Sequence, residues 1–178
     1  MAGRVPIGDY GLIGDTRSAA LVAPDGSIDW WCVPRFDDPP LFGRLVGGSE
    51  AGWFSIGPAE DVQVTDRAYR ADTVTLTTTW TVEGGELELA DGLVAEVEGR
   101  FLPGTVLVRR LTARGRPVRA ELHLAPRFGY DRQPARRIAG GPVRWCANGT
   151  TSPSRSPPTD RPSRPTGPST SRSAPVNR

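Results

Sequence analysis

Lysine is absent from this chain, histidine and methionine occur once each, and there are only two cysteines. Cys32 and Cys146 with the lone His123 cannot complete a four-ligand zinc site from cysteine and histidine alone. A disulfide between the two is not established by spacing, because the bond demands specific geometry. Cys32 therefore reads as a buried free thiol and Cys146 as incidental. Long apolar runs are missing as well. Nothing approaches the ~20 residues of a membrane span, and the opening MAGRVPIGDYGLIG holds no apolar run long enough for a signal peptide. The expectation is a soluble, cytoplasmic protein with no membrane partner. Also lacking are a phosphate-binding glycine loop, a serine nucleophile elbow and a metal-ligand cluster, so neither cofactor nor metal is expected.

What is present divides into two unlike parts. Hydrophobic residues make up 37% of the chain, and they are unevenly spread. From Ala147 to Arg178 the sole large apolar residue is Val176, among Pro, Ser, Thr and Arg. Charge splits at the same place. Residues 1–133 carry 14 Arg against 19 acidic groups, a net of −5, while residues 134–178 carry 8 Arg against one Asp, a net of +7. The organisation expected is a folded domain over 1–133, a transition over 134–146, and a disordered Pro/Ser/Arg-rich tail over 147–178. Such a tail cannot bury enough apolar surface to offset the entropy of ordering. Its arginines are dispersed and no aromatic residue accompanies them for base stacking, so nucleic acid is not expected as a partner. Asn148-Gly149-Thr150 fits the glycosylation pattern but reads as a chance match without a secretion signal.

The first part reads as β structure throughout. Gly8-Asp9 and Gly14-Asp15 mark turns. Ala19 to Val22 and Ile28 to Val33 form a hairpin across Pro24-Asp25-Gly26, where Pro presets φ and Gly accepts a positive value. Pro34 stops the second strand, and Arg35 to Pro40 runs as an extended loop. Leu41 to Val46 is expected to make one helical turn ended by Gly47-Gly48. Strand segments follow at Ala51–Ile56, at Val62–Val64 and Tyr69, at Thr73–Val82 and at Glu86–Leu89, which Leu93–Val97 continues after Asp91-Gly92. Thr105–Ala113 and Val118–Ala125 are joined by Arg114-Gly115-Arg116-Pro117. In the last, Val118, Ala120, Leu122 and Leu124 are expected on one face, Arg119, Glu121 and His123 on the other. About eight strands at short spacing predict an all-β, antiparallel β-sandwich.

Chemistry-bearing residues concentrate between Pro6 and Gly47. Asp25 and Asp29 flank a strand start and Asp37-Asp38 sit in a Pro-bounded loop. Paired carboxylates can do acid–base work on a sugar, yet Asp beside Gly or Pro is more often a turn former. Trp30 and Trp31 are adjacent on a strand, so one faces a core and the other a sugar or a neighbouring domain. Arg35, Phe36 and Asp37 offer either a guanidinium for a ligand or a local ion pair that locks the loop.

The pieces Ile7-Gly8-Asp9-Tyr10, Ile13-Gly14-Asp15, Asp25-Gly26-Ser27-Ile28-Asp29-Trp30 and Pro34-Arg35-Phe36-Asp37 together resemble the opening of bacterial glycoside hydrolase family 15 proteins. That opening is the trehalase-like N-terminal domain found ahead of glucoamylases, trehalases and glucodextranase-like enzymes. The resemblance covers about residues 5–133. It implies a β-sandwich that packs on an (α/α)6 catalytic barrel, where two Glu would invert the α-glucosidic bond. No amphipathic helix follows residue 134, so the barrel is absent and no catalytic residue carries over. The abrupt compositional change near Arg136–Cys146 points to a truncated or frame-shifted reading. The expected function is that of a non-catalytic front domain, with Trp30, Trp31, Arg35, Phe36 and Asp37 as candidate substrate-binding or domain-interface residues. The alternative is a stand-alone carbohydrate-binding module.

Overall fold

The computed structural model describes residues 5–130 and the backbone of two short paired strands, Arg136–Ile138 and Arg144–Cys146. The tail over 147–178, the glycosylation-like triplet, the Cys146 side chain and most of the 134–146 transition lie outside the described residues.

Between residues 5 and 130 ten strands form two antiparallel sheets. The first sheet holds β1 (Gly11–Gly14), β2 (Ala19–Val22), β3 (Ser27–Cys32), β4 (Pro40–Phe42), β5 (Trp53–Pro58) and β10 (Ala120–Ala125). Its order is β1-β2-β3-β5-β10, and β4 pairs with the second half of β3. The second is a simple meander of β6 (Val64–Tyr69), β7 (Leu76–Val82), β8 (Gly85–Val97) and β9 (Arg100–Gly115). Ile13, Ala20, Val22, Ile28, Trp31 and Phe42 of the first sheet pack on Leu76 and Leu93 of the second. Ile56 likewise packs on Trp80, Leu87 and Leu89. Two faces sharing one apolar interior make the expected sandwich.

The hairpin between β2 and β3 forms as its turn residues require. Gly26 has φ +77, and a Cβ there would run into the Ile56 carbonyl, so no other residue fits without strain. Within β3 one feature escapes simple alternation. Ile28 lies opposite Val22 and Trp30 opposite Leu21, which leaves Asp29 as an extra residue, a β-bulge. The bulge shifts the phase of the strand. Ile28 and Trp31, three residues apart, both enter the core, and Trp30 is turned outward.

Three expectations need correction. Leu41 to Val46 does not make one helical turn. Its first part is β4, because Phe42 completes the core against Trp31 and Phe54, and only Arg44–Gly47 coils, as helix α1. Leu93–Val97 continues the preceding strand, β8 running unbroken through Asp91-Gly92. The carboxylate survives inside because Arg109, its neighbour in register on β9, neutralises it. Arg114 to Pro117 does not join a hairpin, since β9 belongs to one sheet and β10 to the other. Finally, Leu122 is 65% exposed: β10 is the edge strand of its sheet, and of the four residues expected on its inner face only Val118 and Leu124 pack against the core.

Candidate functional site

The motif-bearing stretch builds two neighbouring arrangements. The first surrounds the bulge. Asp29 is buried, and three donors converge on its carboxylate: the Tyr10 hydroxyl at 2.7 Å, the Ser27 hydroxyl, and the Arg44 guanidinium at 2.7 Å. Arg44 also donates to Ser27 Oγ at 2.7 Å and lies 3.6 Å from Asp25. Asp25 itself closes the hairpin turn by accepting from the Ser27 N–H at 2.9 Å. Burial, and then the hydrogen bond to the Asp29 carboxylate, push the Tyr10 phenol well above its ordinary value. Arg44 lies over the Trp53 ring, 5.2 Å from its centre, and His123 stacks on the same ring at 4.3 Å. Asp25 and Asp29 thus form turn and anchor.

The second arrangement is the loop after β3. The Arg35 N–H donates to Asp38 Oδ2 at 2.9 Å, and Arg35 Nε pairs with Asp37 Oδ1 at 3.0 Å. That hydrogen bond holds the Asp37 carboxyl below the usual carboxylate range and raises Arg35. The Phe36 N–H bonds the Arg17 carbonyl at 3.1 Å, leaving its ring 61% exposed. Asp15 fixes the β1–β2 turn beneath by accepting from the N–H groups of Arg17 and Ser18. Arg17 then reaches the Leu102 carbonyl at 3.0 Å, and Thr105 Oγ1 donates to the Pro34 carbonyl at 3.2 Å. The loop is therefore clamped between both sheets.

The five sequence candidates do not share one surface. Trp31 is 6% exposed and belongs to the core. Trp30 is half-buried beneath Tyr130, their ring centres 5.8 Å apart. Arg35, Phe36 and Asp37 alone project into solvent. Cys32 is a buried free thiol, pushed up by burial and then by Asp38. Among the described residues no group of three or more His, Cys, Asp or Glu is placed to hold a metal, and no helix is long and apolar enough to cross a membrane. A cavity of about 170 Å³ is lined by Pro58, Glu60, Val82, Glu83, Pro117, Val118 and Arg119, none from the motif stretch.

Sequence reasoning missed Tyr10 and Arg44, which complete the Asp29 anchor. It also missed Arg109, whose only sequence signal is its position inside a run of β-branched and leucine residues.

Residues 2–153 match the family described as trehalase-like, N-terminal. The chain belongs to that family. Within this trehalase-like group it is 38% identical over 89 residues to a trehalase of Mycobacterium tuberculosis, covering 50% of this chain and 13% of that protein. It is 41% identical over 91 residues to trehalase 1 of Sulfolobus acidocaldarius, covering 51% and 15%. A trehalase of Thermoplasma volcanium matches more extensively, 27% identical over 122 residues, covering 68% and 20%. The trehalase-like chain thus spans between an eighth and a fifth of the length of these curated relatives. No solved structure matches it.

Proposed function

We propose that this trehalase-like chain is the non-catalytic N-terminal module of a family 15 glycoside hydrolase that acts on α-glucosides such as trehalose or malto-oligosaccharides. Its task is to pack against and support the catalytic barrel, contributing no proton donor or acceptor to the reaction.

The observation that carries this reading is the fate of the motif carboxylates. An inverting glycosidase needs a raised carboxylic acid and a free carboxylate facing one cleft, about 6.5–9.5 Å apart. Here Asp29 is closed off by Tyr10, Ser27 and Arg44, Asp25 and Asp15 hold turns, and Asp37 is paired with Arg35. The alternative of a stand-alone carbohydrate module has little support, since Trp30 packs on Tyr130 and Trp53 on both Arg44 and His123.

The test is incubation of the purified chain with trehalose and with maltose. No glucose is expected; sustained release abolished by Asp29→Asn would overturn the reading. Calorimetric titration with malto-oligosaccharides is expected to give no binding heat.

A further inference from the structure

The meander ends in a feature that the fold does not use. Strands β8 and β9 pair regularly from Gly85↔Gly115 to Val94↔Val106, and the register then breaks. Beyond the break only Glu96↔Phe101 and Val97↔Arg100 remain, closed by Glu98 and Gly99 with φ +51 and +75. β7 pairs with β8 no further along the ribbon than Asp91, so this tip is a two-stranded arm without a sheet neighbour. Such ribbons are marginal in water unless something packs on them. Phe101 is nevertheless 78% exposed and Val97 is 51% exposed.

The arm stands beside the Arg35–Asp37 loop. Leu102, next to Phe101, accepts from the Arg17 guanidinium, and the Arg17 carbonyl accepts from the N–H of Phe36. Two exposed phenylalanines, one on the loop after β3 and one on β9, are therefore linked at one end of the sandwich by a single bridging arginine. An apolar patch with a charged rim marks an interaction surface. The rim charges are mixed, Arg35 and Arg100 against Asp37, Glu96 and Glu98, which suits neither a polyanion nor an anionic lipid surface. The chain's own segment after Ala147 does not suit it either, since Val176 is its sole large apolar residue.

We infer that the end formed by Phe36 and Phe101 is the surface on which the rest of a trehalase-type polypeptide docks, through an apolar face of that polypeptide. This rests on the module reading above and gives it a location. It fits the size of the relatives, in which the matched segment is 13–20% of the protein and several times its length of chain remains to be contacted. Aromatic side chains at the centre of an interface commonly dominate its affinity.

The test mixes the full 178-residue chain with Mycobacterium tuberculosis trehalase lacking its own matching segment, and follows association by sedimentation velocity. The doubly substituted chain, Phe36→Ser with Phe101→Ser, is expected to bind about tenfold or more weakly. Its thermal midpoint should equal that of the unsubstituted chain, and Val74→Ser, also solvent-facing but on the β6–β7 turn, should bind normally. Association that survives the double substitution overturns this surface while leaving the module reading intact. No association of the unsubstituted chain removes both. Self-association sensitive to the same two substitutions makes a second copy the occupant and overturns the proposal. If the shortened trehalase does not fold, a chimera carrying this chain in place of its segment gives the same answer. There the two substitutions should lower the temperature at which trehalose hydrolysis is lost, and an unchanged temperature overturns the proposal.

Discussion

Arg109 and Asp91 meet between the sheets, whereas Arg35 and Asp37 meet in water. In the first pair both side chains are at most 2% exposed, the contact is bidentate at 2.8 and 2.9 Å, and the guanidinium also serves the carbonyls of Phe54 and Gly26. In the second the exposures are 70% and 75%, with one hydrogen bond of 3.0 Å. Identical chemistry thus does two jobs. Desolvated, the pair cannot be halved without stranding a charge, so it couples the two sheets. Solvated, it does little more than choose a loop conformation. Arg44–Asp29 lies between these limits, with side-chain exposures of 26% and 4%.

This contrast makes an order of sensitivity that denaturant unfolding can break. Asp91→Ala is expected to cost about 3–5 kcal/mol, since it leaves Arg109 charged between apolar layers. Replacing both partners, Asp91→Leu with Arg109→Leu, should recover about half of that loss. If the double variant is no better than the single one, the carbonyl bonds of Arg109 rather than its ion pair hold the sheets. Asp29→Ala should cost less, about 2–3 kcal/mol, because Arg44 retains access to water while the donors of Tyr10 and Ser27 are orphaned.

Tyr10→Phe sharpens the same middle ground through pH. The phenol is raised when folded, so its contribution is complete below its ordinary pKa of about 10 and fades as pH rises above that value. The unsubstituted chain should therefore lose stability between about pH 10 and 12 by more than the Phe variant does. Equal alkaline slopes would place Tyr10 in contact with water. At the smallest end, Arg35→Ala and Asp37→Ala should leave the unfolding midpoint unmoved at neutral pH. The Asp37 carboxyl is lowered, so whatever it contributes is present above the ordinary carboxylate range and fades on acidification, but water screens it. A clear loss of stability in either variant would make the loop structural and weaken its use as a surface.

These pairs also show why sequence reasoning reached some residues and not others. Turn chemistry is local, so Pro24-Asp25-Gly26 and Gly14-Asp15 were legible from adjacent residues alone. Arg35 and Asp37 are two positions apart, and a local pair was one of the two readings open to them. The Asp91–Arg109 pair went unread because its members are eighteen residues apart on different strands. Leu122 looked like core because alternation says nothing about whether a strand has a sheet opposite it.

The sequence by itself determined an all-β chain, the hairpin at Gly26 and the family to which the motif stretch belongs, since each depends on short-range backbone preference or on a residue pattern. Which tryptophan is buried, which aspartate anchors and which phenylalanine is left in water were settled only by the tertiary structure. One unpaired residue, Asp29, shifts the phase of β3 and sends Trp31 inward. That shift depends on where β2 and β5 hold the strand, and no local preference encodes it.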